Sequence, residues 1–159
     1  MGESVLDDAV AHHVCLSVPD REAAAEWWRS LFGFEREFAF DIPHIKARGA
    51  FLRRGPMRIE LFEIAGSKPV PEERWKPNTD LQTQGTKHVC FAVADVQSAL
   101  EKLHAAGVRI VGVARGVGKP MIEESDPRLI EGRQPATAFF LSDPWGSLVE
   151  ILGRHDFAP

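Results

Sequence analysis

The sequence predicts an α+β fold built from two similar halves, and three observations support this prediction. The segment His-Val-Cys-Leu-Ser-Val-Pro-Asp at residues 13–20 recurs as His-Val-Cys-Phe-Ala-Val-Ala-Asp at residues 88–95. Each copy alternates apolar and other residues, as a strand does, and a helical pattern follows. A later segment is also matched between the halves, as Arg-Ile-Glu-Leu-Phe-Glu at 58–63 and Ser-Leu-Val-Glu-Ile-Leu at 147–152. Each half is therefore predicted to contain a strand, then a helix, then further strands.

The two predicted helices are bounded by recognisable signals. Each begins directly after the aspartate of the repeated segment, which is a suitable N-cap, and each ends before a glycine. These signals place the helices at residues 21–32 and 96–106.

The remaining strands and loops follow from apolar runs and breaker residues. Middle strands are predicted at residues 34–40, 45–53, 108–113 and 137–141, and a closing strand lies in each matched later segment. Two long irregular stretches, 67–85 and 116–135, are predicted as loops that either close over a substrate or decorate the surface.

Length and composition narrow the class of protein. The 159 residues, of which 44% are hydrophobic, predict a single domain over residues 1–159. Within it we expect module one at about 11–66, a linker loop at about 67–85 and module two at about 86–153. A net charge of −4 argues against nucleic acid as a partner, and no apolar run is long enough to span a membrane. The start of the chain has no signal-peptide pattern, so we expect a cytoplasmic protein.

Strand alternation places four side chains of metal-binding type on one side of the predicted strands. Val14, Leu16 and Val18 are apolar and suit the helix-facing side, so His13 points the other way. The same phase in the matched strands selects the set His13, Glu60, His88 and Glu150. Two imidazoles and two carboxylates suit one divalent metal per site, and nickel, cobalt, zinc, manganese and iron(II) all fit.

Other side chains on this face are candidates for a substrate pocket. They are Cys15, Ser17, Arg58, Phe62, Cys90 and Leu148. The two cysteines are either additional ligands or small residues of the cavity wall. Arg58 is either a contact for an anionic group or a solvated charge. His12 competes with His13 as a ligand, but continued alternation predicts that it lies on the helix-facing side.

These segments resemble the vicinal-oxygen-chelate superfamily, which includes glyoxalase I, methylmalonyl-CoA epimerase, extradiol dioxygenases and bleomycin and fosfomycin resistance proteins. The resemblance covers about residues 11–152 and rests on the repeated segments, on Arg-Ile-Glu-Leu-Phe-Glu and on Asp-Pro-Trp-Gly-Ser-Leu-Val-Glu. It implies a glyoxalase-like fold, in which two βαβββ modules form a cupped mixed sheet around a metal site. It also implies a homodimer, with the metal held within one chain or across two.

The resemblance assigns roles to the four ligand candidates. His13, Glu60, His88 and Glu150 match the metal positions of the bacterial glyoxalase I pattern, whereas the epimerase pattern has Gln in place of Glu60. Glyoxalases commonly carry an arginine four residues after the first ligand to bind glutathione, and Ser17 stands there in this chain. Glutathione is therefore in doubt as a cosubstrate.

The implied activity is that of a metal-dependent isomerase or lyase of the glyoxalase/epimerase type. Its substrate is a small molecule with adjacent oxygens, its metal stabilises an enolate, and Glu60 and Glu150 move the proton. One alternative is an iron(II) or manganese dioxygenase that uses His13, His88 and Glu150. Extradiol enzymes carry a His and a Tyr before the Asp-Pro-x-Gly turn, but this chain has Phe140 at the Tyr position and no tyrosine anywhere. The other alternative is a drug- or metabolite-binding resistance protein.

Overall fold

The structure, a computed structural model, describes residues 8–116 and 118–155. It divides into two compact units, Met1–Ser67 and Lys68–Pro159. The chain start, on which the cytoplasmic expectation partly rests, lies mostly outside the described residues, as does Val117 in the second predicted loop. Among the described residues, no helix combines the length and apolarity needed to span a membrane.

The first unit contains one helix and a four-stranded sheet. Its elements in chain order are β1 (His13–Val18), α1 (Arg21–Phe32), β2 (Glu35–Ile42), β3 (Ala47–Arg54) and β4 (Met57–Ile64). The sheet order is β1-β4-β3-β2, with β1 parallel to β4 and the other neighbours antiparallel. The strand predicted at 45–53 begins later than expected, because Pro43–Ile45 forms a 3₁₀ turn before it.

The second unit repeats this plan and extends it. Its elements are β5 (Val89–Val93), α2 (Val96–Ala105), β6 (Arg109–Ala114), β7 (Ile122–Glu123), β8 (Ala138–Ser142) and β9 (Leu148–Gly153). The sheet order is β5-β9-β8-β6-β7, and β5 is parallel to β9. The α+β prediction is confirmed. The stretch 116–135, predicted as irregular, contains the short strand β7, which pairs antiparallel with β6.

The predicted helix caps and core faces are confirmed. The Asp20 carboxylate accepts hydrogen bonds from the backbone N–H groups of Glu22 and Ala23, and Asp95 accepts one from Ser98. Gly33 ends α1 with a φ of 67°, a left-handed conformation that glycine adopts without strain. The side chains predicted to face the helices are almost fully buried in the closing strands, namely Ile59, Leu61, Val149 and Ile151.

The loop that ends before β8 is fastened by a buried arginine. Arg115 is only 8% exposed, and its guanidinium donates hydrogen bonds to the backbone carbonyls of Leu129, Ile130 and Gln134 and to the side chain of Gln97. Burial lowers the pKa of Arg115. One side chain therefore satisfies the backbone of much of this loop.

Replacement of Arg115 is expected to be strongly destabilising. Arg115→Met leaves the carbonyl oxygens of Leu129 and Gln134 without this donor and removes a buried side chain from the loop, so the free energy of unfolding should fall by about 3 kcal/mol. Urea denaturation followed by circular dichroism measures this loss. Arg128→Met is the matched control, because Arg128 forms a solvent-exposed ion pair with Asp126 and its loss should lower the free energy of unfolding far less. Equal losses in the two variants would contradict the fastening role of Arg115.

Candidate active site

The first unit places a histidine and a glutamate side by side on the sheet face opposite α1. In the parallel register of β1 and β4, His13 lies opposite Arg58 and Cys15 lies opposite Glu60. His13 and Glu60 therefore project from the same face as diagonal neighbours. The distance from His13 Nε2 to Glu60 Oε2 is 3.1 Å, and the two side chains are 34% and 15% exposed.

The second unit contains an equivalent pair. β5 begins at Val89, so His88 immediately precedes the strand rather than lying within it. Cys90 lies opposite Glu150 across β5 and β9. The distance from His88 Nε2 to Glu150 Oε2 is again 3.1 Å, with side-chain exposures of 35% and 21%. The same register thus produces the same pair of metal-binding side chains twice.

A phenylalanine accompanies each pair. Phe51 on β3 lies opposite Glu60, and its ring centre is 5.2 Å from that of His13 in an edge-to-face arrangement. Phe140 on β8 lies opposite Glu150, with its ring 5.3 Å from that of His88. Sequence analysis did not identify Phe51 as part of the site. It missed the match because the repeat comparison covered the first and last strands of each half, not their antiparallel neighbours.

His12 occupies a different position from the one predicted. Its ring contacts the rings of both His13 and Phe51, and a hydrogen bond of 2.9 Å joins the Nδ1 atoms of His12 and His13. The prediction that His12 faces the helix was wrong because β1 begins at His13, so strand alternation does not extend back to it. The bond leaves His13 Nε2 directed at Glu60.

The two cysteine thiols lie next to the two glutamates. Burial, and to a smaller extent the neighbouring carboxylates of Glu60 and Glu150, raise the pKa of Cys15 to about 11 and that of Cys90 to about 12. A carboxylate disfavours a second negative charge beside it. Both cysteines are free, and their raised pKa values keep the thiols protonated near neutral pH.

Arg58 is already engaged by a carboxylate. A bulge in β2 between Arg36 and Phe38 accompanies the placement of Glu37 against Arg58, whose Nε and Nη2 lie 2.7 and 3.0 Å from the Glu37 oxygens. Arg53 also donates to Glu37, at 3.3 Å. The predicted contact of Arg58 with an anionic group stays a prediction, and such a group would compete with Glu37 for the guanidinium.

The remaining pocket candidates divide between the units. Ser17 and Phe62 are opposite each other on β1 and β4, and the Phe62 ring lies 5.8 Å from that of Phe40. Leu148 lines a cleft of the second unit together with His88 and Phe140. The loop 74–81 and Lys87 form the rest of this cleft. The sequence predicted this stretch as part of a linker loop at about 67–85 that either closes over a substrate or decorates the surface, and no motif in it marked a cleft beside His88.

The donor set suits a divalent metal, but each unit supplies only part of it. Imidazole nitrogen and carboxylate oxygen are ligands of borderline and hard divalent cations, and the paired atoms in each unit approach each other closely enough to share one ion. Within residues 8–116 and 118–155, no group of three or more His, Cys, Asp or Glu side chains is arranged so that it could hold a metal ion. The convergence of both pairs on one metal stays a prediction.

Comparison with known proteins identifies the family. A sequence model of the glyoxalase/bleomycin resistance protein/dioxygenase superfamily matches residues 12–121. The chain belongs to this superfamily. The match spans both copies of the repeated segment and agrees with the two similar units of the fold.

Curated relatives in the superfamily include epimerases. The chain is 30% identical over 140 residues to the ethylmalonyl-CoA/methylmalonyl-CoA epimerase of Cereibacter sphaeroides, a match that covers 88% of this chain and 94% of the relative. It is 29% identical over 176 residues to the 2-epi-5-epi-valiolone epimerase of an Actinomyces species, covering 99% and 86% respectively.

Solved structures share the superfamily fold at low sequence identity. A glyoxalase family protein from Enterococcus faecalis is similar with a TM-score of 0.66 and 17% identity, covering 92% of this chain and 98% of that one. The fosfomycin resistance protein FosX from Listeria monocytogenes, solved with Mn(II) and sulfate, is similar with a TM-score of 0.54 and 17% identity, covering 91% and 90%. A protein of similar fold was thus solved with a divalent metal bound.

Because each thiol lies beside one glutamate, we predict that both cysteines are alkylated slowly and that the rate at each depends on its own glutamate. With pKa values of about 11 and 12, Cys15 and Cys90 should react with iodoacetamide at pH 8 at least about ten-fold more slowly than glutathione. Their rates should rise as the pH is raised toward those values. Mass spectrometry of metal-free protein resolves the rate at each cysteine.

Two carboxylate variants serve as controls for each other. Glu60→Gln should accelerate alkylation of Cys15 and leave Cys90 unchanged, while Glu150→Gln should do the reverse, because each carboxylate disfavours only the thiolate beside it. A variant that altered both cysteines equally, or neither, would contradict this geometry.

Proposed function

We propose that the protein is a divalent-metal-dependent epimerase or isomerase that moves a proton on a carbon next to a carbonyl group. The observation that carries the proposal is the duplicated His–Glu pair, with the same register and the same 3.1 Å separation in both units. The epimerase names of two curated relatives and the Mn(II) of a solved relative support it.

In this proposal His13, Glu60, His88 and Glu150 together hold one metal, contributed by one chain or by two. When bound, a divalent cation supplies Lewis-acid stabilisation for negative charge that develops on a carbonyl oxygen as the neighbouring proton leaves. With Nε2 of His13 as the ligating atom, its Nδ1–H donates to Nδ1 of His12, and this hydrogen bond fixes the orientation of the first imidazole, as an outer partner commonly does for a ligating histidine.

The two glutamates are the proposed proton carriers. A carboxylate oxygen of Glu60 or Glu150 accepts the proton from the carbon, and the electron pair of the broken C–H bond moves toward the carbonyl. Return of a proton to the opposite face of the carbon inverts it, and return to a neighbouring atom isomerises the substrate. Both carboxylates are less than a quarter exposed and lie beside a phenylalanine ring, surroundings that limit competing proton exchange with water.

The ring of Phe140 weighs against the dioxygenase alternative. It packs against His88 with an apolar edge-to-face contact and carries no hydroxyl group. The tyrosine that the extradiol pattern places at this position is therefore replaced by a residue without acid–base chemistry.

Metal binding and solvent exchange together test the proposal. Addition of Mn²⁺, Co²⁺, Ni²⁺, Zn²⁺ or Fe²⁺ to chelator-treated protein should raise its melting temperature, since a ligand that binds the folded state stabilises it. Incubation of methylmalonyl-CoA with the metal-loaded protein in D₂O should then add one mass unit at the carbon next to the thioester.

Substitution of the carboxylates should separate catalysis from folding. Glu60→Gln and Glu150→Gln should each lower the rate of deuterium incorporation by about 100-fold or more, the contribution typical of a positioned general base. Glu35→Gln is the control, because Glu35 is an exposed glutamate on β2 of the first sheet and should leave the rate unchanged. Metal-independent exchange would overturn the proposal, as would metal-dependent oxygen consumption with a catechol.

A further inference from the structure

Four phenylalanine rings form a continuous surface on the first sheet, on the face that carries the His13–Glu60 pair. We call this surface the aromatic platform, and define it by Phe38, Phe40, Phe51 and Phe62. The rings of Phe38 and Phe51 are stacked with their centres 5.0 Å apart, and the Phe40 ring centre lies within 6.0 Å of the other three. Phe38 is 51% exposed and the other rings are half-buried, so the platform presents aromatic surface to solvent.

A glycine in β3 allows the platform to form. Gly49 lies opposite Phe40 on β2 and opposite Phe62 on β4. The Phe40 ring occupies the space that a side chain at residue 49 would need. Because the glycine has no Cβ atom, this ring lies across the backbone of β3 and reaches Phe62 edge to face, with the ring centres 5.8 Å apart. Any larger residue at this position would displace the Phe40 ring from the platform.

The platform begins at a proposed proton carrier. Phe51 is the cross-strand partner of Glu60, and its ring centre is 5.2 Å from that of His13. On the other side of β3, Phe51 lies opposite Phe38 on the edge strand β2. A row of facing side chains therefore runs from Glu60 to Phe38, and a group seated on the rings lies close to the atoms that are proposed to move the proton.

The polar groups at the margin of the platform are engaged with one another. Arg53 and Arg58 both donate to Glu37, the residue before Phe38, at 3.3 Å and 2.7 Å respectively. The rings themselves carry no hydrogen-bond donor or acceptor. The platform therefore favours an uncharged, apolar group over an ion or a polar group that needs hydrogen-bond partners.

The second unit covers the equivalent position with its own chain. Gly112 on β6 lies opposite Phe140, in the place that Phe38 takes in the first unit. Pro77 and Met121 pack over this glycine, and Pro77 Cγ would lie 3.3 Å from a Cβ atom built there. Phe140 is consequently only 7% exposed. The two long loops thus supply apolar cover in the second unit, whereas the corresponding surface of the first unit is open to solvent.

We propose that the aromatic platform binds an uncharged aromatic ring of the substrate, such as a phenyl or naphthyl group, stacked on Phe38 and Phe51. This inference rests on the proposed function and adds that the substrate carries an aryl group close to the carbon that loses its proton. Stacked and edge-to-face ring contacts stabilise such a group beyond the burial of its area. A purine base fits less well, because its ring nitrogens and amino group would lie against carbon atoms.

Titration of the metal-free full-length chain with 2-naphthol tests this inference. At pH 7 the wild-type protein should bind this uncharged probe saturably in isothermal titration calorimetry. Binding should be at least about five-fold tighter than that of decahydro-2-naphthol or adenosine. The first analogue has the same carbon skeleton without planarity, and the second is planar but carries the polar edge of a purine.

Variants of the platform locate the binding site. Phe38→Leu should weaken binding of 2-naphthol about five-fold, since it removes one stacking ring and keeps an apolar side chain. Gly49→Ala should weaken binding as well, because it displaces the Phe40 ring without removing any aromatic residue. Ile45→Ala is the matched control and should leave binding unchanged, since Ile45 is 49% exposed in the 3₁₀ turn after β2. Phe38→Leu alters a largely exposed side chain and should keep the wild-type melting temperature.

Several outcomes would overturn the inference. These are equal binding of the three probes, no saturable binding of 2-naphthol, and equal weakening by Phe38→Leu and Ile45→Ala. A dimer that dissociates in Phe38→Leu protein during sedimentation velocity would also overturn it, since the platform would then be covered by a second copy of the chain.

The outcome is independent of the test of the proposed function. The titration uses no metal, so failure to bind 2-naphthol leaves metal-dependent deuterium exchange untouched. Conversely, selective binding of 2-naphthol by a wild-type protein that shows no metal-dependent exchange would sustain the aromatic platform while removing the proposed activity.

Discussion

The parallel pairing of the first and last strand in each unit is the constraint on which the candidate site depends. Side by side and in the same direction, β1 and β4 set Cys15 against Glu60, and β5 and β9 set Cys90 against Glu150. The histidine two residues before each cysteine then projects from the same face as the glutamate. A register shift of one residue in either strand pair would move the glutamate to the opposite face of the sheet, which packs against the helix.

Sequence analysis predicted the repeated parts of the fold well, for reasons that are local. The caps, the helix-facing apolar residues and the same-face placement of each His–Glu pair follow from side-chain periodicity within single elements. The position of His12 was mispredicted because it depends on where a strand begins, which no periodicity marks. The companion role of Phe51 depends on the antiparallel register with β4, a contact between elements.

The turns that join β3 to β4 and β8 to β9 differ in length, which obscures the correspondence of Phe51 and Phe140 in the sequence. Phe51 and Glu60 are paired across a short turn at Gly55, while Phe140 and Glu150 are paired across the longer Asp143–Ser147 turn. The buried Asp143 carboxylate accepts hydrogen bonds from Trp145 and Ser147 and so stabilises that turn. The sequence separation between the phenylalanine and the glutamate therefore differs between the two halves, although the two Phe–Glu pairs occupy corresponding positions.

The two units share their proposed reactive side chains and differ in what surrounds them. In the first unit the cations nearest the pair, Arg53 and Arg58, are neutralised by Glu37, and Phe40 and Phe51 provide an aromatic surface. In the second unit the loop 74–81, Phe140 and Leu148 line a cleft beside His88. The two units thus contain the same His–Glu pair, while the outer strands and loops around each pair differ.

The protonated thiols have a consequence for the durability of the protein. Oxidation of cysteine by peroxide proceeds through the thiolate, so susceptibility follows the fraction of deprotonated sulfur. Partial burial of the sulfurs and the glutamates beside Cys15 and Cys90 keep that fraction very small. The same carboxylates that are proposed to carry protons thereby protect their neighbours from conversion to sulfenic acid during oxidative stress.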